Sequence, residues 1–283
     1  MRERISYAVR GTKLQMTVEV EERLEDVRTP FQRIEIVRTP VMGRVLLLDG
    51  HVQLSDLDER AYHEALVHVP LLSMEAPESA LVVGGGDGLA VRELARHPGI
   101  RRIEMVEIDG GVVEASKRHL ADLLEGALDD PRVAVRLADA FEFVKTATGS
   151  YDLVVMDVTD VHEGVEGELS ERLFTGEFYA ACRGLLSPGG MLVTQADNPV
   201  FCSYAMAGIR EDLARIFPKA GAYQALVPSF GGFSGFCWGS LVAEVPREWP
   251  GARGMDLAYL DPVTWSLAFH DLGFRGVPSM LGA

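Results

Sequence analysis

The chain has 283 residues, 47% of them hydrophobic and 24% charged, a balance that supports a buried core and excludes global disorder. Its 42 acidic against 27 basic residues give a formal charge of −15, which argues against a nucleic-acid partner and would draw a small cation. No apolar run approaches the ~18 residues of a membrane span, and the start Met1-Arg2-Glu3-Arg4 leads into polar sequence rather than a secretory leader. Cys182, Cys202 and Cys237 lie far apart with no CxxC pair. Neither a disulfide framework nor a zinc site is expected, and a reducing cytoplasm is the expected location.

Residues 1–77 read as a small β-rich domain. Phe31, Ile34 and Ile36 recur on one side of a short strand, residues 39–43 form a turn, and residues 44–48 form a second strand closed by Asp49-Gly50. From Asp58 to Leu72 the spacing becomes helical, with Ala61, Ala65, Leu66 and Val69 on one face until Pro70 disturbs it. Residues 75–78 read as a linker. Residues 78–283 then alternate. Strands are expected at 80–83, 103–106, 132–137, 153–156 and 191–194. Helices are expected to about residue 97 and over 112–124, 141–145, 171–186 and 204–217. Two last strands cover 222–227 and 236–243, and the tail beyond Pro246 has no clear pattern. This alternation predicts a Rossmann-like α/β domain with a doubly wound, mostly parallel sheet behind the N-terminal β domain.

The first chemical signal is Val82-Val83-Gly84-Gly85-Gly86-Asp87-Gly88, a buried strand running into glycines and then a helix. Glycines at 84, 86 and 88 do not make the dinucleotide GxGxxG, and a carboxylate at Asp87 would repel a pyrophosphate. An adenosyl ligand with an amino group nearby suits the loop better, although a tight structural turn would use the same residues. The next strand ends in Glu107-Ile108-Asp109, about 20 residues on, where an acidic side chain typically accepts ribose hydroxyls. Glu107 is the better placed of the two, with Asp109 a helix cap. Asp139, before Ala140, would accept an adenine amino group or cap the following helix. The fourth strand ends in Asp157-Val158-Thr159-Asp160, two carboxylates three residues apart. One would take the proton lost by an attacking nitrogen while the other binds a distant ammonium. The alternative is a solvated, capping loop. The acidic stretch 162–171 would order over a substrate as a lid.

Together with LLLDGHVQLSDLDERAYHEALVHVPLL (46–72), DDPRV (129–133), RLFTGEFY (172–179) and LSPGGMLVTQ (186–195), these motifs make the chain resemble the polyamine aminopropyltransferases, the spermidine synthase family. The resemblance implies a methyltransferase-type central sheet and a homodimer or homotetramer. It implies transfer of an aminopropyl group from decarboxylated S-adenosylmethionine, a co-substrate, to a polyamine, releasing 5'-methylthioadenosine, with no metal or other cofactor. Carried over by position, Gln32, Gln53, Gly84, Gly86, Asp87, Glu107, Asp139 and Ala140 would bind the donor. Asp157 would be the proton acceptor, and Tyr62, His63, Asp87, Asp160 and Phe230 would line the acceptor side.

Three departures from the family pattern bear on the acceptor. Val161 replaces the proline that usually follows the second aspartate, and His162-Glu163-Gly164 replaces the Gly-Pro of the lid. Pro228-Ser229-Phe230 stands where putrescine-using members carry a tyrosine. Putrescine to spermidine leads, with agmatine or longer polyamines behind. An S-adenosylmethionine methyltransferase and a non-catalytic polyamine-binding paralogue are the rival readings.

Overall fold

The computed structural model describes residues 3–9, 13–159 and 169–273. A hairpin of β1 (Arg4–Ala8) and β2 (Gln15–Glu19) precedes a four-stranded antiparallel sheet. Its strands are β3 (Glu22–Arg28), β4 (Arg33–Thr39), β5 (Gly43–Leu48) and β6 (His51–Ser55), in that order. Ile34 and Ile36 share its buried face, whereas Phe31 falls before β4 and stands half-exposed. The expectation that Phe31 continues the strand face is corrected: the ladder starts at Arg33.

Helix α1 (Glu59–Ser73) leads into the large domain and runs through Pro70. Pro70 lies in the last turn, where its missing N–H costs one helical bond rather than the helix. The central sheet follows, with β7 (Ser79–Gly84), α2 (Leu89–Arg96), β8 (Arg102–Glu107), α3 (Gly110–His119) and α4 (Ala121–Leu124). Next come β9 (Val133–Leu137), α5 (Ala140–Thr146), β10 (Tyr151–Asp157), a 3-10 turn over Leu169–Leu173, and α6 (Gly176–Gly184). The chain then forms β11 (Leu186–Gln195), α7 (Ser203–Ile216), β12 (Lys219–Val227), β13 (Gly232–Ser240) and α8 (Pro262–Ala268). The helix expected over 112–124 breaks at Leu120. The one expected over 171–186 is split at Thr175, whose hydroxyl caps α6 by accepting the Phe178 N–H.

The seven strands lie in the order β12-β13-β11-β10-β7-β8-β9. β11, β10, β7, β8 and β9 are parallel, and β13 and β12 join antiparallel at one edge. Central strands covered on both faces read as unbroken apolar runs, and Ala80–Val83 is one, with every side chain fully buried. Alternation sorts the run: Ala80 and Val82 face a core with α1, α2 and α3, and Leu81 and Val83 face one with α5, α6 and α7. The sheet is therefore doubly wound, as expected. The strand order reverses between the parallel neighbours β7 and β10, so a crevice opens at their carboxyl ends, the usual ligand position in such sheets. Among the described residues no helix is long and apolar enough to cross a membrane.

Candidate active site

That crevice is a cleft of about 370 Å³ between the carboxyl edge of the large sheet and the inner end of the four-stranded sheet. Gln32, Gln53, Tyr62, Gly84, Gly86, Asp87, Glu107, Asp139, Ala140 and Asp157 all line it. They come from separate strand ends and from α1, and folding brings them to one wall. Phe31, Leu46, Leu48, Val106 and Ile108 add an apolar surface that could accept an aromatic base.

The glycine loop is built to approach Asp157. Gly84 has φ +77°, and a Cβ there would lie 2.3 Å from the Asp157 carbonyl oxygen. The Gly85 N–H donates to that same oxygen at 2.7 Å, locking the loop to the end of β10. Asp87 turns its Oδ1 to the Leu89 N–H at 2.8 Å, which starts α2 and fixes the carboxylate in the cleft.

Further along, Glu107 is buried and accepts the Asp109 N–H at 2.8 Å. Burial pushes its carboxyl up to about 7, only partly offset by that hydrogen bond, and the Asp109 charge adds to the rise. Asp109 caps α3 through the Gly111 N–H and also accepts Gln32 Nε2 at 3.0 Å and Thr29 Oγ1 at 2.7 Å. Gln32 is thus held by Asp109 at the cleft wall. Asp139 caps α5, its Oδ1 accepting the Phe141 N–H, while Oδ2 lies at the cleft and meets Arg172 at 3.3 Å.

At the other end, Tyr62 donates its hydroxyl to Asp157 Oδ1 at 2.9 Å. His63 lies beside the cleft, fully buried, with Nε2 3.7 Å from Asp87 Oδ1 and 3.9 Å from Asp157 Oδ2. One atom from each of these three side chains falls within 4.8 Å of the others, a cage sized for a single cation. Two carboxylates and an imidazole nitrogen at this spacing could hold a metal ion or a protonated amine. Phe230, expected on the acceptor side, stands one layer back: its ring is buried and meets Tyr62 edge-on at 5.6 Å, outside the cleft lining. Its turn is anchored by Ser229, whose N–H and hydroxyl donate to Asp58 at 2.7 and 2.9 Å. Asp160, Val161 and most of the acidic segment after them lie outside the described residues.

Two functional-looking residues escaped the sequence reading. Glu59 and Arg92, both buried, pair bidentately at 3.1 and 2.7 Å directly behind His63, and Arg92 also holds Glu93. They are 33 positions apart. Glu59 sits four residues before His63, a helical neighbour that the i,i+4 spacing could have flagged. The three cysteines are buried and form no disulfide among the described residues, and burial pushes the Cys182 and Cys237 thiols up, as inert packing residues.

Comparison with known proteins identifies the family. Residues 59–247 match the spermine/spermidine synthase domain, and residues 5–56 match the spermidine synthase tetramerisation domain. The polyamine aminopropyltransferase of Moorella thermoacetica is 37% identical over 258 residues, 90% of this chain and 89% of that protein. The polyamine aminopropyltransferase of Bacillus subtilis is 39% identical over 226 residues, 79% of each chain. A spermidine synthase crystallised with the transition-state analogue AdoDATO has TM-score 0.87 at 25% identity, over 94% of this chain and 91% of that one. The chain belongs to the spermine/spermidine synthase family, and it is an enzyme of the polyamine aminopropyltransferase type.

Proposed function

We propose that the enzyme transfers the aminopropyl group of decarboxylated S-adenosylmethionine to putrescine, giving spermidine and 5'-methylthioadenosine. The observation that carries this reading is the cage of Asp87, Asp157 and His63 beside the glycine loop. Two carboxylates at the end of an adenosyl-shaped cleft welcome a chain ending in an ammonium. They repel the α-carboxylate of ordinary S-adenosylmethionine, which disfavours methyl transfer.

The roles follow from the positions. Glu107 binds the ribose hydroxyls, Asp139 with Ala140 the adenine edge, and Gln32 and Gln53 the donor from the N-terminal sheet. Asp87 holds the donor's ammonium. Tyr62 and Asp157 receive the acceptor's nitrogen, and Asp157 draws off its proton; Asp160 holds the acceptor's far ammonium. The sulfonium is already a good leaving group, so the protein's task is to align a neutral amine with the reacting carbon. No further cofactor takes part. Phe230 behind Tyr62 offers no hydroxyl to a short diamine, so agmatine and longer polyamines are the next acceptors to test. Copies associate through residues 5–56, as a homotetramer or homodimer, and a reducing cytoplasm suits three buried cysteines that form no disulfide.

The test pairs decarboxylated and ordinary S-adenosylmethionine with putrescine, agmatine, spermidine and cadaverine under mass spectrometry. The expected products are methylthioadenosine and putrescine heavier by one aminopropyl unit. Consumption of the ordinary donor alone, with S-adenosylhomocysteine as product, would overturn the reading.

A further inference from the structure

Of the two nitrogens in the His63 ring, one is committed. Nδ1 lies 2.7 Å from the Glu59 carbonyl oxygen, a contact that requires an N–H, so Nδ1 keeps its hydrogen in the neutral and charged rings alike. Nε2 is therefore the atom that gains or loses a proton. It is buried, has no hydrogen-bond partner among the described residues, and faces the gap between Asp87 and Asp157.

Aminopropyl transfer must remove one proton from the acceptor's ammonium in each turnover. A carboxylate, with a reference pKa near ~4, is a poor resting place for a proton taken from an alkylammonium near ~10, and an imidazole near ~6.5 is a better one. Resting on the aminopropyl-transfer reading, we propose that His63 Nε2 is the terminal acceptor of this proton. Asp157 relays it, and the donor's ammonium primes the ring by displacing the proton it carries in the empty cleft.

The charged and titratable groups around the ring are consistent with that exchange. Glu59 and Tyr62 face it from α1, Asp87 from the β7–α2 loop and Asp157 from the end of β10, with Arg92 and Glu93 of α2 behind Glu59. Burial alone would lower the His63 pKa. The Glu59 carboxylate at 3.6 Å from Nδ1, with Asp87 and Asp157, overcomes it and raises the ring to about 9. The empty site thus holds an imidazolium at neutral pH. An ammonium arriving on Asp87 takes one of its counter-ions and adds a like charge nearby, so the ring loses its proton and Nε2 presents a lone pair. The acceptor's ammonium then gives one proton through Asp157 to Nε2. Its nitrogen pair forms the new C–N bond, the C–S bond breaks, and that electron pair neutralises the sulfonium as a thioether. Two positive charges enter the step, and two leave it, on imidazolium and secondary ammonium.

Calorimetric titration with decarboxylated S-adenosylmethionine at pH 7.5, in two buffers of different ionisation heat, counts the protons. The native enzyme should release about one per site and His63→Gln about none. Donor affinity of the native enzyme should rise up to about tenfold per pH unit toward pH 9, while that of His63→Gln stays flat. At saturating donor, the variant's single-turnover rate should fall by about 10²-fold. Carbon-13 spectra of the native enzyme labelled in its histidines test the same point without a variant: one ring should lose its charge when donor is added. Donor binding and aminopropyl transfer without proton release, or the same release from His63→Gln, would overturn the proton-store role alone. Failure of the native enzyme to bind this donor would overturn the functional reading with it.

Discussion

Replacing Asp157 by asparagine separates charge from shape at the centre of the cleft. The backbone of residue 157 would not move: its carbonyl still receives the Gly85 N–H at 2.7 Å, and Met156 and Asp157 stay in register with Val83 and Gly84. Tyr62, now 2.9 Å from Oδ1, can donate equally to an asparagine oxygen. What disappears is one negative charge 3.9 Å from His63 Nε2 and the capacity to draw a proton from a bound amine. Positioned proton transfer contributes about 10²–10⁴-fold to rate, or roughly 3–5 kcal/mol of barrier. Single turnover with decarboxylated S-adenosylmethionine should therefore slow by that factor, while donor affinity, resting on Glu107, Asp139 and Asp87, changes by no more than a few-fold. Quenched-flow measurement of methylthioadenosine, beside equilibrium titration of the donor, reads both numbers. Equal losses of affinity and rate would refute the assignment, because they would mean that Asp157 supports the ground state as much as the transfer.

Other residues give independent readouts. Burial raises the Glu107 carboxyl from its ordinary 4.5 to about 7, so the empty enzyme binds a proton there that the unfolded chain does not. An acid raised on folding loses stability as pH climbs from about 4.5 through 7, and here the loss is up to about 3 kcal/mol. Glu107→Gln should accordingly stabilise the ligand-free protein at pH 8 and leave it unchanged at pH 4.5 in denaturant titrations; stabilisation of equal size at both pH values would refute the cause. Gly84→Ala must combine φ +77° with a Cβ 2.3 Å from a backbone oxygen. A loss of about 3 kcal/mol or more, on the order of 10 °C in melting temperature, is expected from calorimetry. Glu64, fully buried, accepts the N–H groups of Ala258, Tyr259 and Leu260 at 2.7, 2.9 and 3.0 Å. Glu64→Gln should weaken that anchor by about 2 kcal/mol and speed limited proteolysis beyond residue 250 by roughly 30-fold.

The strand ends were legible because each is fixed by a short apolar run that can only be a buried strand, and the last residue of that run must face the crevice. Glu107, Asp139 and Asp157 were found in this way, and Asp87 through the glycines around it. Gln32 and Gln53 carry no such signal; they were reached through the resemblance, and their places at the cleft come from a separate sheet. Phe31 does not continue the face of Ile34 and Ile36 because it stands three and five positions before them, an odd spacing that breaks strand alternation, and the ladder begins only at Arg33. The layer in which Phe230 sits was not legible for a different reason. A sequence gives its neighbours along the chain, whereas its layer is set by Ser229 binding Asp58, 171 positions away. The Glu59–Arg92 pair is of the same kind, since long-range ion pairs have no periodicity to betray them.

Helix α1 explains why these distant parts act together. Three consecutive residues point three ways. Tyr62 reaches Asp157, His63 faces the gap between Asp87 and Asp157, and Glu64 grips the backbone of residues 258–260. Asp58 just before the helix holds the turn under Phe230, and Glu59 in its first turn holds Arg92 of α2. Every one of these contacts is buried or nearly so, and each charged member has an opposite charge or backbone donors to meet it, which is the condition for tolerating charge inside a core. The helix therefore cannot shift to suit one partner without breaking another. A reaction that depends on placing an amine within a few tenths of an ångström needs that kind of constraint around its proton-handling groups. It also means that a substitution in the C-terminal segment, far from the cleft in sequence, should register first as a change at His63 and only afterwards as a loss of donor binding.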